Sequence, residues 1–203
     1  MLLDDTYIVM QITRRQIRKL IKEIIELDSA QVLSQWAHQG QKRRSGEPYF
    51  LHPQEVANIV RNYYNDVSTY YVAMLHDALE DGIPLGNISD EEEFFNMLAA
   101  EMPASAIEEI DNIYDAVVDL TKPKGSDYNE YVEQLTNNHI AFRVKLADMM
   151  QNVSDTPSER QLAKYAKTKN MLVDKFENKP PPGISRRHWN DFTNEIEKAI
   201  KKA

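Results

Sequence analysis

Apolar residues recur at helical spacing along this chain, and glycine and proline interrupt the spacing at short intervals. Ile17, Leu20, Ile21, Ile24 and Ile25 form one stripe, and Val132 and Leu135 a shorter one. The pattern predicts an all-α bundle of about ten helices, over 13–27, 29–39, 53–64, 68–80, 89–100, 103–120, 127–137, 139–154, 158–177 and 186–201. Pro53 and Pro103 suit first-turn positions, Ser68 and Ser158 suit N-caps, and Gly40, Gly46, Gly82 and Gly125 suit breaks between helices. Consecutive prolines lack amide donors and favour extended backbone, so Lys179-Pro180-Pro181-Pro182-Gly183 predicts a linker before a terminal helix. The expected division is one domain over 1–178, then a segment over 179–203 whose helix packs on that domain or extends from it. At 203 residues the chain is long enough to bury a core of its own.

Against this helical background, ionisable residues gather in three separated segments. His52 precedes Pro53, which biases it away from helix and places its imidazole at a helix mouth. His76-Asp77-Ala78-Leu79-Glu80-Asp81 falls within the helix predicted over 68–80, so His76 with Glu80 and Asp77 with Asp81 project over one broad face. Asp148 ends the apolar run Phe142-Arg143-Val144-Lys145-Leu146-Ala147, where a lone carboxylate would be costly to bury. Taken singly, these residues could be a capping histidine or a solvated acidic helix end. Together, His52, His76, Asp77 and Asp148 suit one divalent cation, and an imidazole–carboxylate shell suits manganese, iron or zinc better than magnesium or calcium. Asn152 and Asp155 follow Asp148 at four and seven residues, on the same helical face.

The run Ala37-His38-Gln39-Gly40-Gln41-Lys42-Arg43-Arg44-Ser45-Gly46-Glu47-Pro48-Tyr49, then His52-Pro53, Val56-Ala57, Leu75-His76-Asp77 with Glu80-Asp81, and Lys145-Leu146-Ala147-Asp148, resembles the HD hydrolase domain of RelA/SpoT-type enzymes. The resemblance spans roughly residues 20–160. It implies an HD-domain helical bundle and Mn²⁺ held by His52, His76, Asp77 and Asp148, with iron or zinc as the other candidates. It implies water activation by Glu80 and Asp81, base stacking by Arg43, and phosphate or ribose contacts from Arg44 and Ser45. Asn152 is implied to face the nucleotide, and Lys145 and Asp155 are placed with the substrate contacts. With no synthetase segment attached, the chain resembles a small alarmone hydrolase. The implied reaction is removal of the 3′-pyrophosphate of guanosine tetra- or pentaphosphate to give GDP or GTP and pyrophosphate. A phosphatase acting on NADPH or another nucleotide, adenosine alarmones included, is one alternative; a non-catalytic nucleotide-binding regulator is the other.

Composition narrows the partners. Twenty-four basic against 32 acidic residues give a net charge of −8, which disfavours a nonspecific nucleic-acid binder. An anionic nucleotide therefore needs a local basic patch, which Lys42-Arg43-Arg44 offers. Cysteine is absent, and no apolar run approaches the ~20 residues of a membrane span. The expectation is a soluble cytoplasmic protein with a small-molecule nucleotide substrate and no nucleic-acid or membrane partner; a homo-oligomer stays open. His38 is read as packing behind the site, His139 and His188 as surface residues, and Trp36, Tyr63, Tyr64, Tyr70 and Tyr71 as core.

Overall fold

The computed structural model describes residues 29–103 and 107–202, and among them the regular structure is helical, without a β-strand. The helices are α1 over 29–37, α2 Leu51–Arg61, α3 Val67–Leu75, α4 Ala78–Leu85, α5 Glu91–Glu101, α6 Ile110–Leu120, α7 Tyr128–Leu135, α8 His139–Ser154, α9 Glu159–Lys175 and α10 Arg186–Lys202. A 3-10 turn, Ile107–Glu109, leads into α6, and an isolated antiparallel bridge joins Lys42 to Pro48. The helix expected over 13–27, with its isoleucine-rich stripe, lies outside the described residues. Among the described residues no helix is long and apolar enough to cross a membrane.

The middle of the bundle is α8. Its buried residues Ile140, Phe142, Val144, Leu146, Met149 and Val153 lie all around the helix rather than along one stripe, the mark of a helix with neighbours on every side. It packs against α2, α3, α6, α7, α9 and α10. The second internal element is α3, in which Tyr71 to Leu75 are all fully buried. Because α2, α3 and α8 also pack on one another, a side chain from each can reach a shared point.

Local chemistry sets the helix ends. Asp66, not Ser68, caps α3, its carboxylate accepting from the Thr69 amide, while Ser68 sits inside the helix and donates to Glu109. Ser158 caps α9 as expected, with Gln161 completing a capping box. Gly82 does not break a helix: α4 continues through it to Leu85 and stops at Gly86, which adopts φ 76°. The role of Gly82 is close approach, since a Cβ there would meet the Ile88 side chain at 2.8 Å. Pro103 lies just beyond the C-cap of α5 rather than in a first turn. The helix expected over 68–80 is divided at His76-Asp77, where Asp77 takes φ −102° and ψ 0°, a backbone region common among active-site residues.

The C-terminal segment is docked. Lys179 to Gly183 is non-helical, and Gly183 adopts φ 77° where a Cβ would lie 2.5 Å from that of His139. Arg143 of α8 donates to the Gly183 carbonyl at 2.9 Å, pairs with Asp66 at 3.2 Å, and stacks 4.1 Å above the Tyr64 ring. From there α10 lays Trp189, Phe192 and Ile196 against α8 and α9. Each such side chain contributes about 1.5–3 kcal/mol when buried, enough together to hold one helix in place.

His188 is buried rather than at the surface. Its ring stacks on Tyr63 at 4.3 Å, and its Nδ1 faces the Tyr64 hydroxyl at 3.1 Å. Burial pushes its pKa down to about 3, with Arg143 adding to the effect and Asp191 opposing it. The unfolded chain therefore takes up this proton first, near the usual value of 6.5, and acid favours unfolding. The contribution is intact above about pH 6.5 and fades by about 1.4 kcal/mol per pH unit below it. Urea unfolding at pH 7.5 and pH 5.0 should show the native chain losing about 2 kcal/mol more than His188→Phe. Equal losses would contradict a neutral, buried His188.

Candidate metal centre

The loop between α1 and α2 folds back on itself before delivering His52. Arg43 donates its amide to the Glu47 carbonyl, Gly46 donates to Arg43, and Tyr49 donates to Gln41. Gly46 makes the turn at φ 91°. α2 then begins at Leu51, so His52 lies within its first turn, not outside a helix opened by Pro53. His76 and Asp77 stand at the α3–α4 junction, and Asp148 stands mid-way along α8.

These segments converge. One ring nitrogen each of His52 and His76 and one oxygen of Asp148 lie within 4.8 Å of one another, all three residues buried. His52 Nε2 is 3.3 Å, and His76 Nε2 3.8 Å, from Asp148 Oδ1. Asp77 Oδ2 adds a fourth donor, 3.2 Å from His76 Nε2 and 3.7 Å from His52 Nε2. Ligands about 2.0–2.2 Å from one ion stand roughly 3.0–3.6 Å apart at tetrahedral or octahedral angles, so the spacing fits a divalent metal. His76 Nε2 is a buried nitrogen without a hydrogen bond, which a cation would satisfy.

Outer partners aim the donors. His76 Nδ1 lies 2.8 Å from the Ala73 carbonyl, and His52 Nδ1 2.7 Å from the Gln151 side-chain oxygen. An acceptor at Nδ1 places the ring proton there and leaves the Nε2 lone pair for the shared point. Tyr49 donates to Asp77 Oδ2 at 2.8 Å. Lys145 Nζ pairs with Asp148 Oδ2 at 2.9 Å, and Asn152 donates to Asp148 Oδ1. Burial opposes the charge on Asp148, but Lys145 and the two histidines outweigh it and hold the carboxyl well below its usual range. Burial likewise opposes a charged His76, yet Asp77 and Asp148 push it up to about 9.

Glu80 and Asp81 follow in the first turn of α4. Glu80 opens to solvent, although the surrounding protein and the charge of Asp77 push its carboxyl up. Asp81 is raised mainly by burial, against a 2.8 Å hydrogen bond from Gln41. Gln41 also meets His38 Nδ1 at 2.7 Å, so His38 sits behind this carboxylate. Lys164 of α9 stands over the Tyr128 and Tyr165 rings, 4.2 and 4.6 Å from their centres, close enough to Glu80 and Asp148 to feel both charges.

The expected substrate contacts are placed unevenly. Arg43 is paired with Glu55 at 2.9 Å and with Asp155, and its side chain is only 12% exposed. Asp155 is thereby engaged with Arg43, and Lys145 and Asn152 with Asp148. Arg44 and Ser45 are exposed on the loop, Ser45 donating to Glu47. Sequence reasoning missed Glu55, Gln151, Tyr49 and Lys164. Only Tyr49 carried a signal, as part of the Gly46-Glu47-Pro48-Tyr49 run.

A family model described as HD domain matches residues 30–173. A GTP pyrophosphokinase of Myxococcus xanthus is 29% identical over 153 residues, covering 69% of this chain and 18% of that protein. The bifunctional (p)ppGpp synthase/hydrolase SpoT of Escherichia coli is 29% identical over 138 residues, covering 68% and 19%. A GTP pyrophosphokinase rsh of Brucella melitensis is 47% identical over 55 residues, covering 27% and 7%. The chain thus spans less than a fifth of the length of these relatives.

Two outcomes follow from this geometry. A cation must displace the His76 proton, so Mn²⁺ affinity should rise about tenfold per pH unit between pH ~6.5 and ~8, with roughly one proton released per ion in calorimetry. An affinity flat in pH would show His76 already neutral. Asp77→Ala should lose stoichiometric metal by elemental analysis, whereas full retention would remove Asp77 from the ligand set.

Proposed function

The chain belongs to the HD-domain family, and from that premise we propose that it is a metal-dependent phosphohydrolase of the alarmone type. In this reading it hydrolyses the 3′-pyrophosphate of guanosine tetra- or pentaphosphate, releasing GDP or GTP and pyrophosphate. The observation that carries it is the convergence of His52, His76 and Asp148, with Asp77, beside the exposed carboxylate Glu80 and the half-buried Asp81. The relatives' names supply the substrate class. The bound ion, with manganese as the proposed species, supplies a Lewis acid that acidifies water and offsets phosphate charge.

The chain's own residues do the rest. Glu80 and Asp81 are positioned to take the proton of the attacking water and return one to the leaving oxygen, and their raised pKa values bring them nearer to neutral pH. Arg43 presents a flat face to the base while its edges stay paired with Glu55 and Asp155. Lys164 supplies positive charge near Glu80, and among the described residues no carboxylate pairs with it. Arg44 and Ser45, exposed on the same loop as Arg43, are the proposed contacts to phosphate or ribose, Ser45 by exchanging its hydrogen bond to Glu47.

The deciding measurement is incubation of the protein and Mn²⁺ with guanosine and adenosine alarmones, NADPH and deoxynucleotides, with products resolved by chromatography. Guanosine tetraphosphate should yield GDP and pyrophosphate. If it stays intact while NADPH or a deoxynucleotide is dephosphorylated, the substrate assignment falls. Glu80→Gln should lower turnover by about 10²–10⁴-fold with metal content unchanged. A rise in KM alone would make Glu80 a substrate contact instead.

A further inference from the structure

The two imidazoles of the centre are oriented by different means. His76 Nδ1 meets a main-chain carbonyl one helical turn back, a partner that side-chain changes cannot remove. His52 Nδ1 meets only the Gln151 carboxamide, whose direction is itself a side-chain choice. A carboxamide turned end for end would offer N–H instead of C=O, and His52 would then have to carry its proton on Nε2. That tautomer has no lone pair for a metal at the shared point.

Glu55 fixes the choice. It lies one turn beyond His52 on α2, and its Oε2 receives the Gln151 Nε2 donor at 2.6 Å. A carboxylate only accepts, so the carboxamide must direct N–H toward Glu55 and C=O toward His52. The same Oε2 accepts from Arg43 Nη1 at 2.9 Å. Gln151 is buried, whereas the Glu55 side chain is 51% exposed and rests on Arg43, itself tied to Asp155. The chain of contacts therefore runs from the basic loop, through an exposed carboxylate, to a buried carboxamide and a buried imidazole.

We propose that Arg43, Glu55 and Gln151 form a relay that holds His52 in its metal-competent tautomer and couples the basic loop to metal affinity. This rests on the metal reading of the site. Glu55 and Gln151 are positioning residues: they act through His52 and touch neither the reacting phosphate nor the ion. Displacing Arg43 loosens Glu55, loosening Glu55 frees Gln151, and a free Gln151 lets His52 change tautomer.

The test uses the full chain with its histidines labelled with ¹⁵N. Long-range ¹H–¹⁵N spectra of the metal-free protein read the His52 tautomer directly, and Mn²⁺ titration reads affinity without any turnover. In the native chain His52 should carry its proton on Nδ1. In Glu55→Ala the Nε2–H form should appear and Mn²⁺ affinity should fall about tenfold; in Gln151→Leu the fall should be about 10- to 100-fold. Arg43→Ala should shift His52 in the same direction and more weakly, with circular dichroism unchanged. An Nδ1–H tautomer and native Mn²⁺ affinity in both Glu55→Ala and Gln151→Leu would overturn the relay. A native chain that binds no divalent ion would instead overturn the metal reading, and the His52 spectra would still decide whether the relay sets the tautomer.

Discussion

A carboxylate in the middle of the central helix is the constraint on which this structure turns. Asp148 is only 5% exposed, and a lone ionised group so placed would be strongly disfavoured. Each oxygen is compensated from a specific direction: Lys145 reaches Oδ2 from one turn earlier on α8, Asn152 reaches Oδ1 from one turn later, and His52 and His76 face Oδ1 from α2 and α3. The first two partners are local to α8. The histidines are not, and they approach the carboxylate only where α2 and α3 pack closely on α8. The polar centre and the apolar core thus specify the same arrangement, since slipping any one of the three helices by a turn would strand a buried charge.

The order in which these groups could be read from the chain follows their range in sequence. Periodicity and capping are local, so most helices and the Ser158 cap were legible, and α8 matches its expected span. The motif residues were legible because each sits in a short run of distinctive chemistry. The helix interruption at His76-Asp77 was not, because Ala73 to Leu79 is a continuous helix-compatible run and the departure lies in one backbone angle at Asp77. Nor were the partners of Arg43. Glu55 and Asp155 lie 12 and 112 residues away, and Gln151 meets His52 across 99, distances over which no pattern in the chain connects them. His188 was misjudged for a different reason: its neighbours in sequence are polar, yet it falls four and eight residues before the buried Phe192 and Ile196, on the inward face of α10.

The proposed function would bring an anionic substrate to an acidic chain. With a net charge of −8, the protein as a whole repels a nucleotide polyphosphate, so attraction must come from within a few ångströms of the site. Lys145 is already paired with the buried Asp148 at 2.9 Å, so part of its charge is offset there. Lys164 is differently placed. Burial and the positive charge of Lys145 push its pKa down, and its neighbours are tyrosine rings, which stabilise an ammonium without neutralising it.

The same division of labour separates the two ends of the site. On the α9 side, Lys164 meets aromatic faces that leave its charge in place; on the loop side, Arg43 is paired with two carboxylates. A guanidinium so held has its charge offset by two carboxylates, so in the proposed reading it stacks against a base rather than gathers phosphate charge. In the proposed reading, one end of the substrate would be read by stacking and the other by charge.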